Sequence, residues 1–367
     1  MATTTSKVVI RNVEDNISEQ IKLIMDQFAP ENFDGKKVLI KPNILGPSKP
    51  DLAHTTDPRI VNAVVKECQS RNAEVFVGDN PGGMVKNSTE VAKITGIYDA
   101  SEGCYIPFST QVVKKTGNHT NINFYISKLI FEVDYIINLP KMKSHVSALN
   151  SGAIKNTFGY IPGIEKSRMH IKVDNNEQFG NLICDIFETR PPDLNIMDAI
   201  NILEYNGPSF GGEVRYLGKL LASNDALALD SVMTRMMGLE VNEPCIIYAA
   251  CKRELGNFEK NTIYIDGDFE VIQNYKLPST YKRLEKDKNK ICSSLYPMFT
   301  NRFNIKPLYE KSKCVMCGEC ITNCPAKSLS LEPEFKIDNN CISCFCCVEL
   351  CHYGALYVPD CETTRNY

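Results

Sequence analysis

The chain has 367 residues, of which 43% are hydrophobic and 23% are charged, and its formal net charge is −3. This length allows two or more domains with buried cores, and the nearly balanced charge excludes a general attraction to nucleic acid or to anionic membranes. The sequence contains no hydrophobic stretch long enough to span a bilayer, so we expect a cytoplasmic protein with no membrane span. Eight of the 16 cysteines show no paired spacing, which fits a reducing compartment.

From the start to about residue 275, short apolar runs alternate with amphipathic stretches. The apolar runs predict strands at 7–11, 37–41, 74–79, 134–138, 194–198 and 217–223. The amphipathic stretches predict helices that include 17–28, 58–71, 226–237 and 244–255, and Asp57 before Pro58 is a typical helix start. This alternation predicts an α/β fold with a mostly parallel sheet and helices on both faces. We expect residues 1–275 to form one α/β domain that binds a substrate or cofactor.

Polar side chains follow several of the predicted strands, and ligands of open α/β sheets bind beyond the carboxyl ends of the strands. The candidate pocket residues are Lys41, Asn43, Lys141, Lys143, His145, Lys155 and Asn156. Lysines grouped in this way suit a carboxylate or phosphate, although exposed loop lysines are the alternative interpretation. His145 is the candidate general acid because its unperturbed pKa lies near neutrality, and Lys141 is the second candidate for this catalytic role. The other five are candidate substrate-binding residues.

Two features near this pocket carry weaker signals. The turn at 79–83 has the composition of an anion-binding loop, but it matches neither the P-loop spacing nor the dinucleotide fingerprint. ATP or NAD binding is therefore not indicated by motif. His170 lies in a polar, turn-like stretch and shows no functional pattern.

The C-terminal region follows a basic connector at 276–312 and repeats one cysteine pattern twice within 313–360. Each run has the spacing C-x2-C-x2-C-x3-C. The two runs are Cys314, Cys317, Cys320 and Cys324, then Cys341, Cys344, Cys347 and Cys351. Structural zinc sites usually pair two cysteines with a second pair further along, whereas runs of this kind hold [4Fe–4S] clusters. Cys346 lies between two of these cysteines and is interpreted as a packed thiol or as a spare ligand.

The doubled run resembles the bacterial two-cluster ferredoxins, in which the fourth cysteine of each run crosses to the other cluster. The resemblance implies a small α+β dicluster module with two [4Fe–4S] clusters. The implied ligand sets are Cys314, Cys317, Cys320 and Cys351 for one cluster, and Cys341, Cys344, Cys347 and Cys324 for the other. Low-potential clusters near the surface favour an anaerobic host.

A further set of motifs lies between about residue 36 and residue 238. Its members are Lys41-Pro42-Asn43, Thr55-Thr56-Asp57-Pro58, Asn138, Pro140-Lys141, Lys143, His145, Gly152-Ala153-Ile154-Lys155-Asn156, Gly159, Asp198, Glu204 and Asn206-Gly207-Pro208. These motifs resemble the domain-of-unknown-function 362 family, many of whose members look to be fused to a C-terminal two-cluster ferredoxin module. The resemblance supports the seven candidate pocket residues and implies no particular reaction.

A ferredoxin-like module joined to a pocket domain predicts an iron–sulfur oxidoreductase. In this hypothesis an external ferredoxin or a similar donor reduces the clusters, and a small anionic molecule is reduced in the lysine-rich pocket. Clusters transfer single electrons, so a flavin or another organic cofactor without a recognisable motif would serve to combine them into a two-electron reduction. The alternative hypotheses are a non-enzymatic electron-transfer partner and a maturation protein for a cofactor or metal centre.

Overall fold

The computed structural model describes residues 5–14, 16–83, 85, 87–281 and 305–359. Its larger part is an α/β domain built on a nine-stranded sheet. In chain order the strands of this domain are β1 (Ser6–Asn12), β2 (Lys37–Pro42), β3 (Glu74–Val77), β4 (Val112–Thr116), β5 (Asn123–Ser127), β6 (Tyr135–Leu139), β7 (Lys141–His145), β8 (Leu149–Ser151), β9 (Leu194–Tyr205), β10 (Gly212–Ser223) and β11 (Ile263–Asp266). Strands β4 and β5 form a hairpin of their own outside the large sheet.

The helices of the domain lie between these strands. They are α1 (Ile17–Phe28), α2 (Pro58–Ser70), α3 (Ser88–Ile94), α4 (Ile97–Ala100), α5 (Ala153–Asn156), α6 (Gly163–Met169), α7 (Asn176–Thr189), α8 (Ala226–Met236) and α9 (Cys245–Lys252). Helix α2 begins as predicted, because the Asp57 side chain accepts a hydrogen bond from the backbone N–H of Arg59 and Pro58 occupies the first helical position. Among the described residues, no helix is long and apolar enough to cross a membrane.

The sheet has the order β11-β1-β10-β9-β6-β2-β3, and β7 lies beside β9 with β8 at its far side. Parallel pairing joins β3, β2, β6 and β9, whereas β10 runs antiparallel to both of its neighbours. Alternate side chains enter two cores on opposite faces. Val38 and Ile40 of β2 pack with α1 and α2, and Leu39 packs with α7 and α8. The predicted α/β fold with helices on both faces is therefore confirmed.

The second folded part is a small C-terminal α+β module. Its elements are β12 (Leu308–Tyr309), α10 (Glu319–Thr322), β13 (Leu329–Ser330), β14 (Lys336–Ile337), α11 (Cys346–Glu349) and β15 (Leu356–Tyr357). The strands form two antiparallel pairs, β12 with β15 and β13 with β14. Most of the predicted basic connector lies outside the described residues. The structure places its last part in the module, where Leu308 pairs with Tyr357.

The module packs directly against the α/β domain. Val146, which follows β7, is buried in the apolar core of the module beside Phe345 and Val348. The hydroxyl of Ser209 donates a hydrogen bond of 3.5 Å to the Val348 carbonyl. These contacts place α11 beside the carboxyl end of β7 and the loop between β9 and β10.

Candidate functional site

A cavity of about 80 Å³ lies between the carboxyl ends of the central strands and helix α11 of the module. The α/β domain supplies most of its wall, including five of the seven candidate pocket residues: Asn43, Lys143, His145, Lys155 and Asn156. The module supplies Cys346, Glu349 and Leu350. Both folded parts therefore contribute residues to the wall of the cavity.

Three lysine side chains line the cavity. The Nζ atom of Lys143 donates to Asn43 Oδ1 at 2.6 Å and to the His54 carbonyl at 2.8 Å. Lys166, on α6, donates to the Asn80 carbonyl. Among the described residues, Lys155 Nζ has no hydrogen bond or ion pair within the protein. The three amines therefore keep hydrogen-bond donors for a ligand, since each ammonium carries three.

The pKa of all three lysines is lowered. Burial is the largest cause in each case. The charges of Lys155 and Lys141 depress the pKa of Lys143 further. Burial lowers the pKa of Lys166 to about 8, with the nearby Asp79 carboxylate opposing the shift. An anion placed between these amines would stabilise their charged forms.

The two remaining predicted lysines lie behind the cavity wall in buried ion pairs. Lys41 Nζ lies 2.8 Å from Asp79 Oδ1, and Lys141 Nζ lies 2.8 Å from Asp198 Oδ2, with all four side chains buried. Gly159 permits the first pair, because a Cβ atom at this position would lie 2.0 Å from Asp79 Oδ1. Both lysines are held by carboxylates and do not line the cavity, so the geometry gives them a structural role. For Lys141 this differs from the catalytic role that the sequence predicts.

A chain of asparagine amides fixes the position of Lys143. Asn43 Nδ2 donates to Asn156 Oδ1 at 3.0 Å, and Asn156 Nδ2 donates to Asn138 Oδ1 at 2.7 Å. Asn138 Nδ2 in turn donates to Asn195 Oδ1 at 2.9 Å. The chain leaves Asn43 Oδ1 as an acceptor for Lys143, and a connected network of this kind holds its members in one arrangement.

His145 faces Glu349 across the boundary between the two folded parts. Its Nδ1 accepts hydrogen bonds from the backbone N–H groups of Ser147 and Ala148 at 3.2 and 3.3 Å. The proton of the neutral ring therefore resides on Nε2, which lies 3.3 Å from Glu349 Oε1 without the alignment of a hydrogen bond. Burial, followed by the charges of Lys155 and Lys143, lowers the pKa of His145 well below its usual value. A neutral ring suits hydrogen-bond donation better than the general-acid role that the sequence predicts.

Part of the cavity wall is aromatic. The rings of Phe158 and Phe179 meet edge to face with centroids 5.9 Å apart, and the ring of His170 stacks on Phe179 at 4.7 Å. Both phenylalanines and His170 line the cavity. His170 is thus a pocket residue, although its sequence context gave no signal.

The eight repeated cysteines surround two further cavities in the module. The first is lined by Cys314, Cys317, Cys320 and Cys351, and the second by Cys324, Cys341, Cys344 and Cys347. These are the two crossed sets that the ferredoxin resemblance implies, so the donors fit two iron–sulfur clusters. Among the described residues, no group of three or more His, Cys, Asp or Glu side chains is placed to hold a single metal ion.

The backbone around the two sets repeats as well. Left-handed residues occur at the same places in both runs, Met316 and Gly318 in the first, Ser343 and Phe345 in the second. The fourth cysteine of each run accepts a backbone hydrogen bond at sulfur, from Ser328 at 3.4 Å and from Ala355 at 3.2 Å. Such N–H groups stabilise thiolate charge.

Helix α11 joins the second cysteine set to the lysine-lined cavity. Cys344 and Cys347 line the cluster cavity, whereas Cys346 and Glu349 face the lysines. Leu350 lines both the lysine cavity and the cavity of the first cysteine set. One short helix therefore separates the candidate ligand site from both candidate cluster sites.

The fold and the site together define an α/β domain whose cationic cavity is closed by a dicluster iron–sulfur module. The family model described as Domain of unknown function (DUF362) matches residues 38–235, and that of the 4Fe-4S dicluster domain matches residues 306–352. The chain belongs to the DUF362 family and carries a C-terminal 4Fe–4S dicluster domain, as the sequence motifs predict. It is therefore an iron–sulfur protein of the electron-transfer type.

Relatives among known proteins cover both parts. The chain is 30% identical over 286 residues to a thylakoid-associated protein of Synechocystis sp., across 75% of this chain and 86% of that protein. It is 36% identical over 83 residues to NADH-quinone oxidoreductase subunit I 2 of Geobacter metallireducens, across 19% of this chain and 63% of that protein.

Two solved structures share a distant likeness. The lactate racemase apoprotein from Thermoanaerobacterium thermosaccharolyticum gives a TM-score of 0.42 at 13% identity, and a protein from Thermotoga maritima gives 0.36 at 12% identity. The matches cover 65% and 66% of this chain and 58% of each of those chains.

Proposed function

We propose that this protein is an iron–sulfur reductase that acts on a small anionic molecule bound between Lys143, Lys155 and Lys166. An external one-electron carrier of the ferredoxin type supplies the electrons. The observation that carries the proposal is the position of Cys346 and Glu349, which form one wall of the lysine-lined cavity while lying between cluster ligands in sequence. Electron transfer is short-range, so this proximity gives the dicluster module a target.

The two cysteine sets are proposed to hold one [4Fe–4S] cluster each, with the crossed ligands described above. When bound, the clusters supply single electrons at low potential. Two clusters store two electrons between them, so a two-electron reduction requires no flavin, and none is included in the proposal. The cytoplasmic location and the anaerobic host stay predictions.

The two cysteine sets differ in their accessibility to a donor protein. Cys317, in the first set, is exposed and is flanked by exposed Val315 and Met316. Cys347, in the second set, is buried and lies in the turn of helix that faces the lysines. The exposed set is proposed to meet the donor, and the buried set to serve the ligand.

Lys166 is proposed as the proton donor in place of His145 and Lys141. Its pKa of about 8 leaves it mostly protonated at neutral pH and able to release a proton. Lys141 is held by Asp198, and His145 is neutral, so neither is suited to this role. A two-electron reduction takes up two protons, and Lys166 would deliver them in turn, regaining each from solvent.

The test measures whether a small molecule accepts electrons from the reduced module. The holoprotein is reduced with dithionite under anaerobic conditions, freed of excess reductant, and mixed with the ultrafiltered small-molecule fraction of host cells. We expect this fraction to accelerate reoxidation of the clusters, followed by their visible absorbance. Lys155→Met should lose roughly 10²-fold of that acceleration, as expected for loss of one group that stabilises developing charge.

Lys114→Met is the matched control, because Lys114 is an exposed lysine on β4. It should behave like the wild-type protein, and reduction by dithionite should be equal in all three proteins. If the small-molecule fraction does not accelerate reoxidation, or accelerates it equally in Lys155→Met, the protein is not a reductase using this cavity.

A further inference from the structure

We infer that the cavity selects an organic dianion, with its charges held by the three lysines and its carbon body against the aromatic part of the wall. This inference rests on the proposed function and specifies the class of molecule that is reduced. It follows from the balance of charges around the cavity and from the distribution of polar and apolar groups on its walls.

The charged groups that face the cavity do not balance. Among the described residues, Lys143, Lys155 and Lys166 bring three amines to the lining, whereas the carboxylates there are Asp79 and Glu349. Asp79 is already paired with Lys41 at 2.8 Å and also accepts the backbone N–H of Ile44 at 2.7 Å. Glu349 can neutralise at most one lysine. At least two of the three amines therefore have no carboxylate partner in the described lining, and negative charges on a ligand would stabilise their charged forms, since buried charges are costly unless they are paired.

The lysine N–H groups that make no hydrogen bond to the described residues agree with this count of unpaired amines. Lys143 donates two of its three N–H groups to Asn43 and His54, which leaves one for a ligand. Lys166 donates one N–H group to the Asn80 carbonyl. Lys155 donates to no hydrogen-bond acceptor in the described part of the chain. A carboxylate or phosphate presents several acceptor oxygens, so two such charges can engage donors from all three lysines.

The other lining residues favour a ligand with a carbon skeleton over an inorganic ion. Apolar groups of Ile44, Phe158, Phe179 and Leu350 also line the cavity. Phe158 is held edge to face by Phe179, and its ring also lies 6.0 Å from Lys166 Nζ. Apolar surface of this kind gains free energy when it is covered by carbon. Because the cavity volume is about 80 Å³, the organic probes are kept to three or four carbon atoms.

The experiment compares four probes by isothermal titration of the anaerobic holoprotein at constant ionic strength. Succinate and butyrate have four carbons each but carry two charges and one. Propyl phosphate is a phosphate ester of similar size, and sulfate is a dianion without a carbon body. We expect succinate or propyl phosphate to bind at least about tenfold more tightly than butyrate, because one further charged hydrogen bond is worth this much. Sulfate should bind more weakly than the better of the two organic dianions.

The preference between succinate and propyl phosphate assigns the dianion to the dicarboxylates or to the phosphate esters. Lys155→Met should remove the advantage of the dianions over butyrate, and Lys114→Met should keep it. Phe158→Leu should weaken the organic dianions while sulfate binding persists. Equal binding of butyrate and the dianions would overturn the inference and leave the proposed function in place. If none of the four anions binds, the inference is refuted, and the reoxidation experiment decides the proposed function separately.

Discussion

Replacing Lys141 by methionine should destabilise the α/β domain by about 3–5 kcal/mol, the usual cost of leaving one buried charge without its partner. Lys141 Nζ lies 2.8 Å from Asp198 Oδ2, and both side chains are buried. Asp198 would keep the backbone N–H groups of Asp57 and Ile200 as donors but would lose its cationic partner. The variant therefore tests whether this lysine is structural.

Lys143→Met is the matched comparison, because Lys143 is equally buried but has no ion-pair partner in the described part of the chain. Its acceptors are the neutral oxygens of Asn43 and His54. Burial and neighbouring positive charges lower its pKa well below the usual value, so its charged form already costs the fold free energy. We expect this substitution to change the free energy of unfolding by only about 1 kcal/mol, because the lost hydrogen bonds and the relieved charge offset each other.

Urea unfolding under anaerobic conditions, followed by far-ultraviolet circular dichroism, measures both changes. In thermal scans the Lys141 variant should lose about 2–4 °C for each kcal/mol. The double variant Lys141→Met with Asp198→Asn should recover most of the loss, because it removes the orphaned charge. Unchanged stability in Lys141→Met, or an equal loss in Lys143→Met, would refute the assignment of the two lysines.

Two other outcomes follow from the site. Between pH 6 and pH 7.5, titration of Lys166 should hardly change the affinity for succinate or propyl phosphate. Above about pH 8 the affinity should fall, because the free Lys166 amine loses its proton. Because a bound anion raises the pKa of this lysine, binding should take up protons, measurable by calorimetry in buffers of different ionisation enthalpy. Lys166→Met should reduce the dependence of affinity on pH. An affinity that rises between pH 7 and pH 9.5 would contradict this role of Lys166. Separately, Cys346→Ala should keep the iron and sulfide content of the wild-type protein, whereas Cys347→Ala should lower it. Equal iron loss in the two variants would show that Cys346 is a ligand.

The fold was largely predictable because its strands are apolar runs. The run at 37–41 became β2, which extends by one residue to Pro42. The run predicted at 194–198 continues as β9 to Tyr205, since its pairing with β10 extends to that residue. Strand β7 has the sequence Lys141–His145 without apolar alternation, and it exists because β8 and β9 pair with it. No local pattern could have indicated it.

The candidate site was predictable only in part. Lys143, His145 and Lys155 were predicted as pocket residues because they follow a predicted strand. Lys166 and Glu349 reach the same cavity from α6 and α11, far apart in the chain, and only the packing of the module brings them together. The roles of Lys41 and Lys141 depended on which carboxylates face them, and a sequence without pairing information cannot supply this.

The burial of Val146 inside the core of the module has a consequence for iron supply. The residue next to His145 is packed by Phe345 and Val348, and these belong to the segment that holds the second cysteine set. A module of this size has little core of its own, so its folding depends on its metal. In cells short of iron we expect the anion site to lose the wall formed by α11. Newly made protein would then become able to bind its ligand only after its clusters have been inserted.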